Sequence, residues 1–409
     1  MGEHHRSHRE QSQAGVLAQL AQDVEGQGAR DPHGRVSYPP PFSPARLAIH
    51  TCTNALAAPR PAQRILILRL GAVGDVVRTL PAASALRAGY PEAHVAWLVE
   101  PPSASLVEGL RWIDEVLVFP RPELRAALRA ARGITLARRA TGWLRELRAG
   151  RFDLVVDFHS ILKSGLLSLA SGAERRVGLA PPFGREASHR FATELARLSP
   201  PRQSRFLRND GLVRYLGIDA PAAPQPLGVE PERLAAARKA LGEGPAPVAI
   251  HPGTSDATAH KRWNAAGYGA VARALRDEGI PSVVTCGPAR DDRAFADAVL
   301  DAAGGAACPA PPTPTLHDLA ALFQACRLYL GGDTGPLHVA SLVGTPVVQL
   351  IGPTDPVENQ PFPGTPSRTV RVQIACNPCR RGCAGAACMG AIHPDSVIDG
   401  IREVLAAHP

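Results

Sequence analysis

The sequence predicts an α/β protein made of two doubly wound, Rossmann-like domains. Apolar runs of strand length recur along the chain, and turns of small residues directly follow Ile65–Leu70, Val248–His251 and Leu328–Leu330. Helical patterns come after these turns, and this alternation of strand and helix is what builds a parallel sheet. A proline-rich stretch, Ile218–Leu227, separates two such series and is typical of a linker.

These patterns divide the chain into four parts. Residues 1–62 are rich in His, Arg, Gln and Pro without sustained periodicity, so we expect a disordered N-terminal extension. The first Rossmann-like domain is expected over residues 63–220, and a linker with a short helix over 221–246. The second domain is expected over residues 247–409, which include a cysteine cluster and a last helix that Asp395 is expected to cap. Within the first domain, Pro181–Pro201 is expected to be a long loop.

The composition bounds the class of partner. The chain has 409 residues and a net charge of +8, which favours an acidic partner such as a phosphorylated molecule or an anionic membrane. The arginine-rich stretches Arg121–Arg151 and Arg175–Arg208 contain few aromatic residues, so they do not favour nucleic acid as the partner. No run of about 18 apolar residues and no secretory signal are present, so we expect a cytoplasmic protein.

The first strand leads into a loop that has the features of a ligand site. Gly71 and Gly74 let backbone and ligand approach closely, and they place Asp75 at the carboxyl edge of the sheet, where open α/β proteins bind ligands. The alternative is that Asp75 only caps the helix that follows. His159 and Lys163 follow a later strand at the same edge and are candidate acceptor-side residues, although a structural role for such a histidine is common.

The first strand of the second domain ends in a similar loop. Thr254 and Ser255 are small polar residues in the turn, and Lys261 follows ten residues after His251; all three are candidate donor-binding residues. This spacing lets the lysine side chain contact a ligand that the loop binds. The alternative is a surface lysine beside a tryptophan.

The strand Leu328–Leu330 opens the third candidate stretch. Two glycines and a helix start follow it, so backbone N–H groups and the positive end of the helix dipole favour a phosphate there. An ordinary capped connection is the alternative. The polar or flexible residues of this stretch are Asp333, Thr334, Gly335 and His338. A carboxylate beside a diphosphate is unexpected unless it serves a sugar hydroxyl, a metal or the helix cap.

Four cysteines near the C-terminus form the last candidate site. Cys376, Cys379, Cys383 and Cys388 are close enough in sequence to hold zinc or an iron–sulfur cluster. Unligated thiols in a compact loop are the alternative.

Three blocks of sequence together resemble a known family. Arg64–Leu86, His251–Trp263 and Gly331–Pro356 are similar, in this order, to the signature blocks of glycosyltransferase family 9. This family contains the heptosyltransferases of lipopolysaccharide core synthesis. The resemblance covers roughly Gln63 to His408.

The resemblance implies a fold, a reaction and roles for several residues. It implies the GT-B architecture, in which two Rossmann-like domains face a cleft, and inverting transfer of a heptose from ADP-heptose to an inner-core lipopolysaccharide (lipid A–core) acceptor. Asp75 would be the catalytic base, and Lys261, Thr334 and the N–H groups near Gly335 would stabilise the departing ADP. Asp333 and His338 would position donor hydroxyls or the loop. No cofactor is implied for the transfer, and peripheral contact with the inner membrane is expected.

Three alternatives stay open at the level of sequence. The segment Cys308–Thr315 is rich in proline where relatives place residues near the nucleotide, so another nucleotide-sugar is an alternative donor. A nucleotide-sugar epimerase or hydrolase would share the fold. A non-catalytic, metal-bearing regulator is the third alternative.

Overall fold

The structure, a computed structural model, describes residues 29–30, 36–37, 60–130, 133–219, 227–379, 382–383 and 385–408. The disorder predicted for residues 1–62 falls mostly outside these residues. The chain divides into a unit of residues 1–47 and a unit of residues 48–409. In the first unit, strands β1 (Ala29–Arg30) and β2 (Val36–Ser37) pair antiparallel.

The first sheet of the larger unit has six parallel strands. They are β3 (Arg64–Leu68), β4 (His94–Val99), β5 (Glu115–Val118), β6 (Leu154–Asp157), β7 (Arg175–Leu179) and β8 (Glu194–Ala196). The helices of this half are α1 (Val73–Gly89), α2 (Pro101–Glu108), α3 (Arg121–Arg129), α4 (Gly133–Ala149), α5 (Leu162–Ala170) and α6 (Arg205–Tyr215), with a 3₁₀ turn at Ser188–Arg190.

The second sheet also has six parallel strands. They are β9 (Val248–His251), β10 (Ser282–Val284), β11 (Cys308–Pro309), β12 (Leu328–Gly332), β13 (Val347–Leu350) and β14 (Ser367–Val370). The helices are α7 (Pro231–Leu241), α8 (Ala265–Asp277), α9 (Arg290–Ala303), α10 (Leu316–Ala325), α11 (Gly335–Leu342), α12 (Ala387–Gly390) and α13 (Pro394–Ala407), with a 3₁₀ turn at Asp256–Lys261.

Both sheets have the strand order of a doubly wound fold, which confirms the predicted class. The orders are β5-β4-β3-β6-β7-β8 and β11-β10-β9-β12-β13-β14. The direction of winding reverses between β3 and β6 in the first sheet and between β9 and β12 in the second. Ligands of open α/β sheets bind at the carboxyl ends of strands at this reversal, so the loops after these four strands are where a site is expected.

Helix α1 lies between the two halves of the unit. Its residues Val76 to Leu86 are all buried, and it packs against both α6 and α11. Pro81 lies inside this helix without ending it. One apolar core includes side chains from both sheets, among them Ile67 of β3 and Tyr329 of β12. The two sheets therefore share a core through α1.

Two local predictions were wrong in part. The region Pro181–Pro201, predicted as a long loop, contains the edge strand β8, which pairs with β7. Asp395 was predicted to cap the last helix, but His393 is the N-cap and its ring accepts from the Asp395 N–H. The linker predicted at Ile218–Leu227 lies largely outside the described residues.

None of the helices in the described part of the chain combines the length and apolarity needed to cross a membrane.

Candidate active site

Asp75 lies in the first turn of α1 and is held by three arginines. Its carboxylate oxygens lie 2.7 Å from Arg69 Nη2, 3.0 Å from Arg78 Nη1 and 2.8 Å from Arg205 Nη1. Burial alone would raise the pKa of Asp75, but the charges of the three guanidinium groups outweigh it and hold the pKa well below its usual range. Asp75 is therefore ionised and fully paired.

Asp333 lies at the end of β12 and is paired in a similar way. Its carboxylate oxygens lie 2.9 Å from Lys261 Nζ and 3.2 Å from Arg78 Nη2. Burial opposes ionisation here too, yet contact with His338 and the charges of Arg78 and Lys261 lower the pKa of Asp333 below its usual range. Arg78, which is only 6% exposed, therefore connects the loop after β3 with the loop after β12.

His338 completes the buried part of this network. Its Nε2 contacts Arg78 and lies 3.7 Å from Asp333, and its ring meets Phe206 edge-on with centroids 5.9 Å apart. Burial and the neighbouring Arg78 charge lower the pKa of His338 to about 4. The ring is therefore neutral at neutral pH. Its buried Nδ1 makes no hydrogen bond to the described residues.

The starts of α1 and α11 touch at two glycines. A Cβ placed on Gly74 would lie 3.1 Å from the Cα of Gly335. Thr334 is the N-cap residue of α11, but its side chain caps no N–H group. Lys261 pairs with Asp333, two residues before α11, so its ammonium group lies near this helix start, in keeping with an anion site.

The loop after β9 supplies Lys261 at the end of the Asp256–Lys261 turn. Thr254 is buried, and its carbonyl accepts a hydrogen bond of 2.7 Å from Arg262 Nη2, which fixes the loop. Ser255 is exposed, and its hydroxyl lies 2.9 Å from the Thr258 hydroxyl. Of these predicted donor-side residues, only Lys261 joins the ion-pair network.

The charges of the network favour an anionic ligand. Two carboxylates, of Asp75 and Asp333, face four cations, and the histidine among them is neutral. The cations are Arg69, Arg78, Arg205 and Lys261. The two carboxylates balance only part of this positive charge. A diphosphate bound beside these residues would balance the rest, and burial would strengthen each interaction.

The predicted acceptor-side residues have different surroundings. His159 is largely buried after β6, and burial lowers its pKa to about 3, with Arg69 adding to the effect. Lys163 pairs with Glu100, at the end of β4, and lies 5.8 Å from the Phe119 ring centroid. The structure thus places His159 beside the arginines and Lys163 outside the network.

Asp157, at the end of β6, is a buried carboxyl that supports the loop. It accepts hydrogen bonds from the backbone N–H groups of His159 and Ser160 and from the Ser164 hydroxyl, at 2.8 to 3.0 Å. Burial raises the pKa of Asp157 to about 6.

The four cysteines do not form a metal site in the structure. Cys376 and Cys383 are exposed, Cys379 is half-buried and Cys388 is buried against Gly352. Across the residues that the structure describes, no group of three or more His, Cys, Asp or Glu side chains is arranged to hold a metal ion. The predicted zinc or iron–sulfur site therefore has no support here.

The sequence reasoning missed the arginines of the site. Arg78 stands three residues after Asp75 on one helix, and this spacing was a usable signal because such side chains share a face. Arg205 is 130 residues away from Asp75, and nothing local in the sequence indicates that pair.

Comparison with known proteins relates this chain to one family. A family model for glycosyltransferase family 9 (heptosyltransferase) matches residues 141–386. Lipopolysaccharide heptosyltransferase 3 of Escherichia coli is 25% identical over 299 residues, which are 71% of this chain and 83% of that protein. Lipopolysaccharide core heptosyltransferase OpsX of Haemophilus influenzae is 24% identical over 311 residues, 73% of this chain and 81% of that protein.

Solved structures share the fold. The E. coli ADP-heptose lipopolysaccharide heptosyltransferase II structure has a TM-score of 0.65 and 22% identity, covering 84% of this chain and 99% of that one. The E. coli heptosyltransferase WaaC structure with ADP has a TM-score of 0.63 and 20% identity, covering 84% and 100%.

Proposed function

We propose a reaction for this chain from the premise that it belongs to glycosyltransferase family 9, the heptosyltransferase family. The chain is a glycosyltransferase, and we infer that it transfers a heptose from ADP-heptose to the inner core of a lipid A-linked acceptor. The names of its relatives, which are lipopolysaccharide heptosyltransferases, support this choice of donor and acceptor. We place the reaction in the cytoplasm, at the inner membrane.

The observation that carries the mechanism is the bridge between Asp75 and Asp333 through Arg78. It joins the candidate base after β3 to the candidate donor loop after β12. In the proposed step, the acceptor hydroxyl oxygen attacks the anomeric carbon, its proton passes to the Asp75 carboxylate, and the bond to ADP breaks. Lys261 and the N–H groups at the start of α11 stabilise the negative charge on the departing diphosphate.

The pairing of Asp75 has a consequence for this step. A carboxylate held by three guanidinium groups is a weak base, because each positive charge favours its ionised form. In this proposal, the donor diphosphate neutralises part of the charge of Arg78, one of the three guanidinium groups that lower the pKa of Asp75. The pKa of Asp75 then rises from its depressed value, so donor binding makes it a stronger base.

The test is ADP release from ADP-heptose, with and without a soluble, heptose-deficient core acceptor. Asp75→Asn keeps the shape of the side chain but removes its basicity, so turnover should fall by about 10²–10⁴-fold. ADP binding by calorimetry should not weaken, because the variant removes an anion that competes for the arginines. Asp210→Asn, which removes a half-exposed carboxylate paired with Arg214 on α6, is the matched control and should retain turnover.

The assignment is wrong if ADP release does not depend on the acceptor. Release without acceptor, at an undiminished rate in Asp75→Asn, would indicate a hydrolase. No release from ADP-heptose, together with release from another nucleotide-sugar, would keep the transferase and change the donor.

A further inference from the structure

The exposed apolar side chains of the protein are concentrated in one region. Within the residues that the structure describes, the large hydrophobic side chains that are exposed all lie between residues 118 and 169. Ile134 and Leu128 are the most exposed, at 73% and 66%. Leu128 is near the end of α3 and Ile134 is at the start of α4, and these two helices pack against each other.

Arginines surround these apolar side chains. They occupy three of the nine positions of α3 and four of the seventeen positions of α4, and each helix has one acidic residue. The arginines are Arg121, Arg125, Arg129, Arg138, Arg139, Arg145 and Arg148. Exposed leucine or isoleucine among arginines on a surface helix is the pattern of elements that lie on anionic membranes.

Helix α4 is held by contacts with β5 and α5, while the arginines of α3 and α4 are exposed. The Trp143 ring of α4 meets Phe119 edge-on at 5.1 Å, and its indole N–H donates to the Val118 carbonyl at 3.2 Å. Arg148 Nε donates to the Ala170 carbonyl, which ties α4 to the end of α5. The surface is therefore held in place by its contacts with β5 and α5.

Helix α5 continues the apolar surface. Leu162, Leu166 and Leu169 are spaced four and three residues apart, so they share one face of the helix, and each is partly exposed. Helices α4 and α5 are in contact. The apolar side chains thus extend from the α3–α4 junction across a neighbouring helix.

The topology places the start of α4, next to its junction with α3, on the side of the sheet that carries the candidate site. Helix α4 ends just before β6 begins, so it runs opposite to the parallel strands, and its start lies at their carboxyl edge. Asp75 follows the carboxyl end of β3 in the same sheet. A membrane contacted by this junction therefore lies on the side of the first domain where the acceptor would enter.

We propose that α3, α4 and the start of α5 form a docking surface for an anionic phospholipid membrane. Arg125, Arg138 and Arg139 attract the headgroups, while Leu128 and Ile134 insert between them. The choice of a membrane as occupant rests partly on the proposed function, because a lipid-anchored acceptor lies in such a surface. The charge and exposure of the helices support it independently.

The experiment measures binding of the full chain to vesicles by flotation. Vesicles of phosphatidylcholine with added phosphatidylglycerol should bind the protein, and pure phosphatidylcholine vesicles should bind it much less. Arg138→Gln with Arg139→Gln should weaken binding by roughly fivefold for each arginine. Leu128→Ser with Ile134→Ser should weaken it by about tenfold for each side chain.

The matched control removes two positive charges from the second domain. Arg238→Gln with Lys239→Gln changes two exposed residues of α7 and should leave vesicle binding unchanged. Each variant is also assayed with the soluble core acceptor, and ADP release should match the wild type. Since the substituted side chains are exposed, their unfolding midpoints should be unchanged.

Three results would overturn the proposal. Equal binding to neutral and anionic vesicles would show that the binding is not electrostatic. An equal loss of vesicle binding in the α7 control would show that α3 and α4 are not the docking surface. A wild-type dimer that dissociates in Leu128→Ser with Ile134→Ser would assign the surface to a second copy of the chain. Normal ADP release without vesicle binding would refute docking and leave the proposed reaction intact, whereas vesicle binding without ADP release would refute only the reaction.

Discussion

At the scale of single residues, Arg78 joins the two carboxylates of the site. It is almost fully buried and contacts Asp75, Asp333 and His338 at once. A buried charge is costly unless it is paired, so each member of this group stabilises the others only while the group is complete. The network therefore couples stability to the same residues that are proposed to act on the substrate.

Arg78→Met is expected to destabilise the protein by about 3 kcal/mol, the low end for breaking a buried ion pair. The low end applies because Asp75 keeps Arg69 and Arg205, and Asp333 keeps Lys261. Denaturant unfolding of the variant and the wild type measures the difference.

The control for this prediction is Arg214→Met. Arg214 pairs with Asp210 and Asp219 on the more exposed surface of α6, and loss of such surface pairs should cost under about 1 kcal/mol each. Equal losses in the two variants would mean that burial of the Arg78 network adds nothing to stability.

At the scale of elements, the contact between α1 and α11 depends on the absence of side chains. Gly74→Ala should destabilise the protein by about 1–3 kcal/mol and raise the KM for the donor, because the new Cβ meets the Gly335 backbone and forces the helix starts apart. Unfolding midpoints and donor titrations measure the two effects.

Gly142→Ala is the matched control for this contact. Gly142 lies within α4, and a Cβ there meets no atom within 4 Å. Alanine should stabilise that helix by about 1 kcal/mol, since it restricts the unfolded chain more than glycine does. If Gly74→Ala is as stable as Gly142→Ala, the starts of α1 and α11 accommodate the added Cβ atom without strain.

The elements also show how far sequence reasoning reaches. Buried parallel strands such as Val248–His251 could be predicted to the residue, because a continuous apolar run between turn signals is specific. The edge strand β8 was missed, since Glu194–Ala196 is short and half-exposed and its pairing with β7 depends on tertiary contact. Short edge strands carry little apolar signal of their own.

Only some residues of the candidate site could be predicted from the sequence. Asp75, Lys261 and Asp333 follow strands at the reversal of winding, so position in the fold indicated them. Arg205 was not predicted, because it lies 130 residues from Asp75 and the two meet only through the packing of α1 and α6. Arg69 was also missed, although it lies in the same loop region as Asp75. Their roles in the reaction, like that of Asp75, remain predictions.

At the scale of the whole molecule, the shared core predicts the unfolding behaviour. Side chains of both sheets belong to one apolar cluster, and α1 lies within it. Residues 48–409 should therefore unfold in one calorimetric transition, with equal calorimetric and van't Hoff enthalpies. Two independent domains joined by a linker would give two.

A core variant makes this prediction sharper. Leu80, in α1, is fully buried, and Leu80→Ala should cost about 2–5 kcal/mol. The whole transition should move to lower temperature in the variant. A high-temperature component that stays in place would show that the second sheet unfolds independently of α1.

The paired carboxylates also bear on how the product leaves. In the proposed reaction, the ADP product would be held by the same cations that pair with Asp75 and Asp333 in the structure. The two carboxylates are tethered beside those cations, so their effective concentration is far above that of any anion in solution. As ADP leaves, these guanidinium and ammonium groups pair again with Asp75 or Asp333, so no buried cation is left without a counter-ion. The two carboxylates thus compete with ADP for the same cations, and this competition favours release of the product.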